Sequence, residues 1–99
     1  MQKTIYSPEH RLFLDLLREA RTSRAVTQTE LAVRLEWEQT LVSRCERGTR
    51  RLDLLELRSW LAALGIELVE FTTELEDRLQ KNTPPGARRT RKHKVTVSR

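Results

Sequence analysis

The sequence predicts an all-α fold in which five helices form one compact domain. The 99 residues include only three glycines and three prolines, and the helix-favouring residues Leu, Ala, Arg and Glu are abundant. Apolar residues also recur at helical spacing rather than in alternation. A chain of this length can build one small hydrophobic core but not two, so we expect a single folded domain over residues 8–79.

The first helix is expected over about residues 8–23, after a short N-terminal arm formed by residues 1–7. Ser7 is a suitable N-cap, and Pro8 suits the first helical position because the N–H it lacks would have no partner there. The stripe that should face the core consists of Leu12, Phe13, Leu16, Leu17 and Ala20.

Two short helices joined by a tight turn are predicted in the middle of the chain. Thr27 and Glu30 form a Thr-x-x-Glu capping box, in which each side chain satisfies a backbone N–H at a helix start. The first of these helices covers about residues 27–35. The second covers about residues 38–47 and ends at Gly48, because glycine commonly follows the last helical residue.

Two further helices complete the predicted domain. Asp53 and Glu56 form a second capping box, which opens a strongly apolar helix that stops at Gly65 and should lie at the centre of the core. A fifth helix is expected over about residues 67–79, with acidic residues on its outer side. Its apolar side consists of Leu68, Phe71, Leu75 and Leu79.

The basic charge of the chain is concentrated at its C-terminus. The formal net charge is +5, but residues 80–99 carry +7 with no acidic residue, so residues 1–79 carry −2. Prolines and glycine at residues 84–86 cannot continue a helix, and the run of like charges after them repels itself. We therefore expect a disordered basic tail, which acts either as an arm that binds phosphates or as a solubilising terminus.

Composition excludes several other classes of protein. The longest apolar run, from Trp60 to Ile66, is far too short to cross a bilayer, and the N-terminus lacks the hydrophobic stretch of a signal peptide. We therefore expect an intracellular protein that does not associate with membranes. The single cysteine, Cys45, allows no internal disulfide. Its inward position indicates a small apolar filler, and a redox switch is the alternative.

The predicted helix over residues 38–47 carries polar side chains on one side. Val42 or Leu41 and Cys45 face inward at helical spacing, which leaves the other side exposed. Glutamine can bind adenine and arginine can bind guanine through paired hydrogen bonds. The polar side therefore suits a helix that enters the DNA major groove, although an ordinary solvated helix face has the same pattern. Its polar residues are Gln39, Thr40, Ser43 and Arg44.

These segments resemble the Cro/Xre family of phage-repressor-like helix-turn-helix proteins. The resemblance is carried by LREAR at residues 17–21, TQTELAVRL at 27–35, VSRCERGTRRLD at 42–53 and Ala63-Leu64-Gly65, and it covers about residues 12–75. It implies a compact five-helix repressor-like DNA-binding domain with its helix-turn-helix at about residues 27–47. Such domains usually bind a near-palindromic operator as dimers, with the second of these helices in the major groove.

The resemblance also implies roles for individual residues. By position in the family pattern, the side chains that contact bases are Gln39, Thr40, Ser43 and Arg44. The side chains that contact the DNA backbone are Gln28, Arg47, Thr49, Arg50 and Arg51. Arg21 and Glu46 occupy the positions of an ion pair that ties the first helix to the recognition helix.

Four positions depart from the family pattern. Ala25 and Glu36 stand where glycine is frequent, so the turns there are expected to be strained or differently built. Glu38 replaces a Ser, Thr or Pro at the start of the recognition helix and is interpreted as a helix cap, with hydrogen bonding to cytosine as the alternative. Trp37 is larger than the usual residue and is interpreted as a partly buried wedge.

The fifth helix is longer than a five-helix core requires. We therefore expect Leu75 and Leu79 to pack against the same helix of a second subunit, with capping of the domain's own core as the alternative. A dimer also binds two half-sites, which raises affinity through effective concentration.

The sequence thus favours a transcriptional regulator, specifically a dimeric repressor of double-stranded operator DNA in the cytoplasm, associated with the nucleoid. Two alternatives stay open. An antitoxin would use the same domain on its own operator while the fifth helix or tail binds a toxin. A non-repressing adaptor would bridge DNA or RNA polymerase to another protein. A toxin or an anti-repressor is accordingly a possible protein partner.

An enzyme is the least favoured class. His10 and His93 lie near opposite ends of the chain and are interpreted as surface residues, and Cys45 should be buried, so no nucleophile is paired with a base. The sequence has no glycine-rich phosphate loop and no set of Cys and His residues at metal-binding spacing. No cofactor and no metal are expected.

Overall fold

A computed structural model describes residues 7–82 of the chain, and this part contains five α-helices. They are α1 (Pro8–Thr22), α2 (Gln28–Leu35), α3 (Gln39–Arg47), α4 (Leu54–Ala63) and α5 (Leu68–Lys81). The predicted all-α, five-helix fold is confirmed. The expected disordered basic tail covers residues 80–99. Gln80 and Lys81 instead belong to α5, and residues 83–99 lie outside the described residues together with residues 1–6 of the N-terminal arm.

Side-chain caps set the beginnings of three helices. The Ser7 hydroxyl accepts a hydrogen bond from the His10 N–H at 3.0 Å. In the capping box of α2, Thr27 and Glu30 each accept from the other's backbone N–H, at 3.0 and 2.8 Å. Asp53 and Glu56 repeat this arrangement at the start of α4. The residues that predicted these helix starts therefore provide the hydrogen bonds that the free N–H groups require.

The start of α3 differs from the expectation. Glu38 occupies the N-cap position, but its carboxylate makes no capping hydrogen bond. Its backbone carbonyl instead accepts from the N–H groups of Leu41 and Val42, at 3.0 and 3.3 Å. The interpretation of Glu38 as a side-chain cap was thus wrong. Glutamate is a poor N-cap because its chain is longer than that of Asp, Ser or Thr, which reach the N–H groups directly.

Four turns of the described chain use left-handed backbone conformations. Two of these residues are the glycines Gly48 and Gly65, with φ of 85° and 79°. The other two are Ala25 and Glu36, with φ of 57° and 62°. Both stand where the family pattern has glycine, so the backbone keeps the glycine conformation and carries the steric cost of a Cβ atom.

The hydrophobic core is centred on Trp60 of α4, whose side chain is completely buried. It lies among Leu17 of α1, Leu31 of α2 and Val42 of α3, all with no exposed surface. The α5 helix packs against α1 and α4 and covers the core on that side. Its Phe71 ring meets the Phe13 ring of α1 edge to face, at 6.0 Å between centroids. The core is thus shared by all five helices, which fixes α3 relative to α1 and α2.

Two aromatic residues outside the centre of the core also have defined environments. Trp37 is partly buried, and its ring meets Trp60 edge to face at 6.1 Å between centroids. It therefore packs as the wedge that its position suggested. His10 is half-buried beside Phe13, at 5.8 Å between ring centroids, rather than fully at the surface. Within residues 7–82, no helix has both the length and the apolar character to cross a membrane.

Candidate nucleic-acid interface

The α2 and α3 helices form a helix-turn-helix unit. Glu36 adopts the left-handed conformation that ends α2, and the Trp37 N–H then donates to the Ala32 carbonyl at 2.9 Å. This compact turn brings α3 back across α2. On its inner side α3 buries Val42, Cys45 and Glu46, so its opposite side is turned toward solvent.

The outer side of α3 carries the expected polar residues. Gln39, Thr40 and Arg44 are exposed, whereas Ser43 is partly buried. The Ser43 hydroxyl accepts a hydrogen bond from Nη1 of Arg47, one turn further along the helix, at 2.7 Å. The structure therefore groups three exposed side chains with a fourth whose hydroxyl is already engaged by an arginine.

A buried ion pair fixes α3 to α1. The Glu46 carboxylate accepts from Nε and Nη2 of Arg21, at 2.6 and 2.9 Å. Nη1 of Arg21 donates to the Val26 carbonyl at 2.8 Å, which also ties the turn before α2 to the pair. The Glu46 side chain is fully buried and that of Arg21 is 11% exposed. The pair implied by the family resemblance is therefore present, and it joins three elements behind the exposed surface of α3.

Two glutamines extend this pair to the surface. Nε2 of Gln28, the first residue of α2, donates to Oε1 of Glu46 at 3.0 Å. The side-chain oxygen of Gln28 accepts from Nε2 of Gln39 at 2.7 Å. A continuous chain of hydrogen bonds thus runs from Arg21 through Glu46 and Gln28 to Gln39. In the isolated domain, Gln28 is therefore a link between α2 and α3.

The loop after α3 is held by a second ion pair. Arg50 donates to both carboxylate oxygens of Glu56, at 2.9 and 3.0 Å, and to the Arg51 carbonyl at 2.8 Å. The Arg50 guanidinium and the backbone N–H of Asp53 hold the pKa of Glu56 below its usual range. Thr49 donates from its hydroxyl to the Arg44 carbonyl at 3.3 Å. Arg50 therefore fixes the loop to α4, while Arg51 is exposed beside it.

The described domain has separate basic and acidic clusters. Basic residues cluster on the second half of α3 and the following loop, and acidic residues cluster on α5 and its N-cap, where Arg78 and Lys81 pair with Glu74 and Asp77. Such a distribution orients the domain in the field of a polyanion. The basic cluster comprises Arg44, Arg47, Arg50 and Arg51. The acidic cluster comprises Glu67, Glu70, Glu74, Glu76 and Asp77.

The remaining reactive groups are placed for packing. Cys45 is buried in the core, and burial raises the pKa of its thiol. In residues 7–82, no three or more His, Cys, Asp and Glu side chains lie close enough to hold a metal ion. The exposed side of α3 thus places hydrogen-bonding side chains next to arginines on a helix held in place by the core. Such a surface is suited to binding a polyanion, because it offers both hydrogen bonds and positive charge.

Four contacts between side chains of this surface were not predicted from the sequence. They are the hydrogen bonds that join Gln28 to Glu46 and to Gln39, the bond from Arg47 to Ser43, and the pair of Arg50 with Glu56. The predicted capping box already indicated that the Glu56 side chain points toward the N-terminus of α4. This was a partial signal for its pair with Arg50. The glutamine contacts had no local signal, because they depend on the angle between α2 and α3.

Comparison with known proteins defines the class of this domain. The family model of the helix-turn-helix domain matches residues 12–72, which is more than half of the chain. Together with the fold and the exposed α3 surface, this match makes the protein a helix-turn-helix DNA-binding protein. No curated protein matches the chain.

Solved structures identify the family to which the chain belongs within this class. The chain is similar to the XRE-family like protein from Pseudomonas syringae pv. tomato str. DC3000, with 37% identity, coverage of 71% of this chain and 85% of that one, and a TM-score of 0.67. The chain belongs to the XRE family of helix-turn-helix transcriptional regulators. It also shares its fold with the wild-type restriction-modification controller protein C.Esp1396I, with 23% identity, 78% of this chain and 100% of that chain covered, and a TM-score of 0.70.

Proposed function

We propose that this regulator is a dimeric repressor that binds a near-palindromic operator through α3. The observation that carries the proposal is the exposed side of α3, where Gln39, Thr40 and Arg44 project from a helix whose inner side is anchored by Glu46. A helix presented in this way fits the width of the major groove. Binding there would occlude a promoter, so the mechanism requires no chemistry.

In this proposal the side chains of α3 select the operator sequence. Gln39 binds adenine and Arg44 binds guanine, each through two hydrogen bonds, and one such pair contributes about 1–3 kcal/mol of discrimination. Thr40 and Ser43 contact the neighbouring base pairs. Since α3 is held by the core and by the pair of Glu46 with Arg21, these groups are ordered before DNA binds.

Contacts with phosphates supply the sequence-independent part of the affinity. Five residues are assigned to them, Gln28, Arg47, Thr49, Arg50 and Arg51. Exposed Arg51 reaches a phosphate directly, whereas Arg50, paired with Glu56, acts mainly by holding the loop in place. Gln28 has one N–H bonded to Glu46 and its oxygen bonded to Gln39, and its second N–H is assigned to a phosphate.

The dimer is proposed to form through the end of α5. Leu75 and Leu79 lie on its partly buried side, near the exposed end of the helix. Packing of two such helices would place two copies of α3 on one side of the dimer, with half-sites roughly 34 Å apart, about one turn of DNA.

Selection of bound duplexes from a random pool tests the proposal. The wild type should enrich a two-fold symmetric sequence. Gln39→Ala and Arg44→Ala should each relax the preference at particular base pairs. Arg58→Ala is the matched control, because Arg58 is an exposed arginine on the α4–α5 side of the domain. Equal loss of affinity on every sequence would assign Gln39 and Arg44 to the DNA backbone instead.

A further inference from the structure

A groove lies between the start of α1 and the end of α5. It has a volume of about 290 Å³ and is lined by two partly buried leucines, Leu12 and Leu79. Exposed residues form the rest of its lining. They are Pro8, Glu9, Arg11, Asp15 and Asn82. The groove thus offers an apolar strip with charged side chains beside it.

Both ends of the described chain lie at this groove. Pro8 lines it and directly follows Ser7, the N-cap of α1, and Asn82 lines it as the C-cap of α5. Residues 1–6 and residues 83–99 are therefore both attached at its edge. A segment attached in this way has a high effective concentration at the groove, so a modest apolar contact is enough to favour docking.

The two segments differ in what they can place in an apolar groove. Residues 1–6 are MQKTIY, in which the large apolar side chains of Ile5 and Tyr6 come directly before Ser7. Residues 83–99 begin with TPPGA and continue with a basic run, and their two valines lie near the far end. The composition therefore favours residues 1–6 as the occupant.

The cap of α1 suits a chain that turns back over the helix. The Ser7 hydroxyl accepts a backbone hydrogen bond from the first turn at 3.0 Å, and the Ser7 backbone is extended, with ψ of 163°. At such a helix start, the residue before the N-cap often packs against the fourth helical residue, which here pairs Tyr6 with the Arg11 stem. Ile5 and Leu12 each lie one position further from the cap. Two extended residues span roughly 7 Å, and α1 rises about 7.5 Å from Ser7 to Leu12, so Ile5 can reach the groove.

We infer that residues 1–6 fold back over this groove and place Ile5 on Leu12 and Leu79. The contact joins the start of α1 to the end of α5. It also covers Leu79, which belongs to the seam of the proposed dimer. Residues 1–6 and a second subunit therefore compete for the same leucine, and the docked segment weakens dimerisation. The competition rests on the proposed function, whereas the docking does not.

A double-mutant cycle with the full chain tests the docking. Ile5→Ala, Leu79→Ala and the double variant are unfolded with denaturant at concentrations where sedimentation shows monomers. Ile5→Ala alone should lower the equilibrium constant for folding about fivefold, as expected for loss of a partly buried aliphatic side chain. In the Leu79→Ala background the same change should have an effect of about twofold or less, because its partner has been removed.

Val69→Ala provides the matched background. Val69 is an apolar residue in the first turn of α5, 71% exposed, and it does not line the groove. In this background Ile5→Ala should keep its full effect of about fivefold, since distant sites act independently. Equal effects of Ile5→Ala in the wild-type and Leu79→Ala backgrounds would overturn the docking.

Sedimentation equilibrium tests the competition. The dissociation constant of the Ile5→Ala dimer should be lower than that of the wild type by roughly threefold or more, because the seam is uncovered in a larger fraction of the molecules. Thr4→Ala is the control, since it changes a neighbouring polar residue and should leave the dissociation constant as it is.

Two results separate this inference from the proposed function. If the cycle shows coupling but Ile5→Ala leaves the dissociation constant unchanged or raises it, the competition is overturned. If the wild type is monomeric at every concentration, the proposed dimer fails, and the cycle still decides whether residues 1–6 occupy the groove.

Discussion

The carboxylate of Glu46 and the guanidinium of Arg21 are joined by two hydrogen bonds across 25 residues of sequence. The pair is buried behind the exposed side of α3, and Gln28 extends it to Gln39. The same carboxylate therefore anchors the recognition helix and orients an amide at its surface. In the proposed mode of DNA binding, one residue therefore contributes both to the stability of the domain and to recognition of the operator.

Glu46→Ala should lower both thermal stability and operator affinity. Removal of one partner from a buried ion pair typically costs about 3–5 kcal/mol, because the other charge is left without compensation. Thermal melting measures the first effect and titration with operator DNA the second. Glu19→Ala is the control, since Glu19 pairs with Arg78 at the surface and its removal should change the melting temperature little. An unchanged melting temperature for Glu46→Ala would contradict the structural role.

Glu36→Gly should stabilise the domain. Glu36 has φ of 62°, and glycine adopts this conformation without the clash of a Cβ atom. Glycine also has a greater entropy cost of folding, so the expected net increase in the free energy of unfolding is about 0.5–1 kcal/mol, measured by denaturant unfolding.

The reverse change, Gly65→Ala, is the matched control. A Cβ there meets no atom within 4 Å, so its expected destabilisation of roughly 1 kcal/mol arises from the backbone alone. A decrease of stability in Glu36→Gly would show that its side chain matters more than its backbone conformation.

Acid should destabilise the loop that Arg50 and Glu56 hold together. The pKa of Glu56 is lowered, first by Arg50 and then by the Asp53 N–H. A carboxylate whose pKa is lower in the folded than in the unfolded protein stabilises the fold. This contribution is fully present at pH values above the ordinary pKa of about 4.5, and it disappears as the pH falls through the lower pKa of the folded protein. The advantage in melting temperature of wild type over Glu56→Gln should therefore shrink below about pH 4.5. Glu38→Gln is the control, because it removes an exposed carboxylate that makes no capping hydrogen bond.

Leu75→Arg should convert the proposed dimer into a monomer. A charge in an apolar seam between two helices would be left without a partner. Sedimentation equilibrium measures the mass in solution. Because Leu75 also packs against the core, Leu79→Arg at the helix end is a second variant, and Glu76→Arg on the exposed side is the control. A dimer that survives both leucine substitutions would exclude this seam.

Deletion of residues 82–99 tests the proposed role of the basic tail. The deletion removes six Lys and Arg residues and no acidic residue. If the tail binds phosphates, affinity should fall on every sequence and depend less steeply on salt, because each phosphate that the tail neutralises adds about 0.9 to the logarithmic slope. Operator preference should stay nearly the same. A slope equal to that of the full chain would show that the tail takes no part in binding.

Most of the fold could be predicted because its signals are local. The caps at Ser7, Thr27 and Asp53 lie within three residues of the groups they bond, and the apolar stripes repeat with the period of a helix. The resemblance also located the left-handed turns at Ala25 and Glu36. The error at Glu38 has a local cause as well, since its helix position was foreseen but the reach of its side chain was not.

The candidate site could be predicted only in part. Helical periodicity placed Gln39, Thr40 and Arg44 on one exposed side of α3, where the structure has them. The bond from Arg47 to Ser43 and the pair of Arg50 with Glu56 depend on rotamers and on the path of a loop. Neither contact has a periodic signature in the sequence. Arg47 and Arg50, which the sequence analysis assigned to phosphates, therefore have partners within the domain that the sequence did not indicate.

Helix caps and periodic apolar stripes were enough to predict the five helices, their order and the apolar side of each, because both patterns involve residues a few positions apart. The orientation of the amides of Gln28 and Gln39 depends instead on contacts between helices. That orientation requires Glu46, 18 residues from Gln28 in sequence, to lie within hydrogen-bond distance. Such proximity follows from the packing of α2 against α3 around a shared core, and no local pattern encodes it.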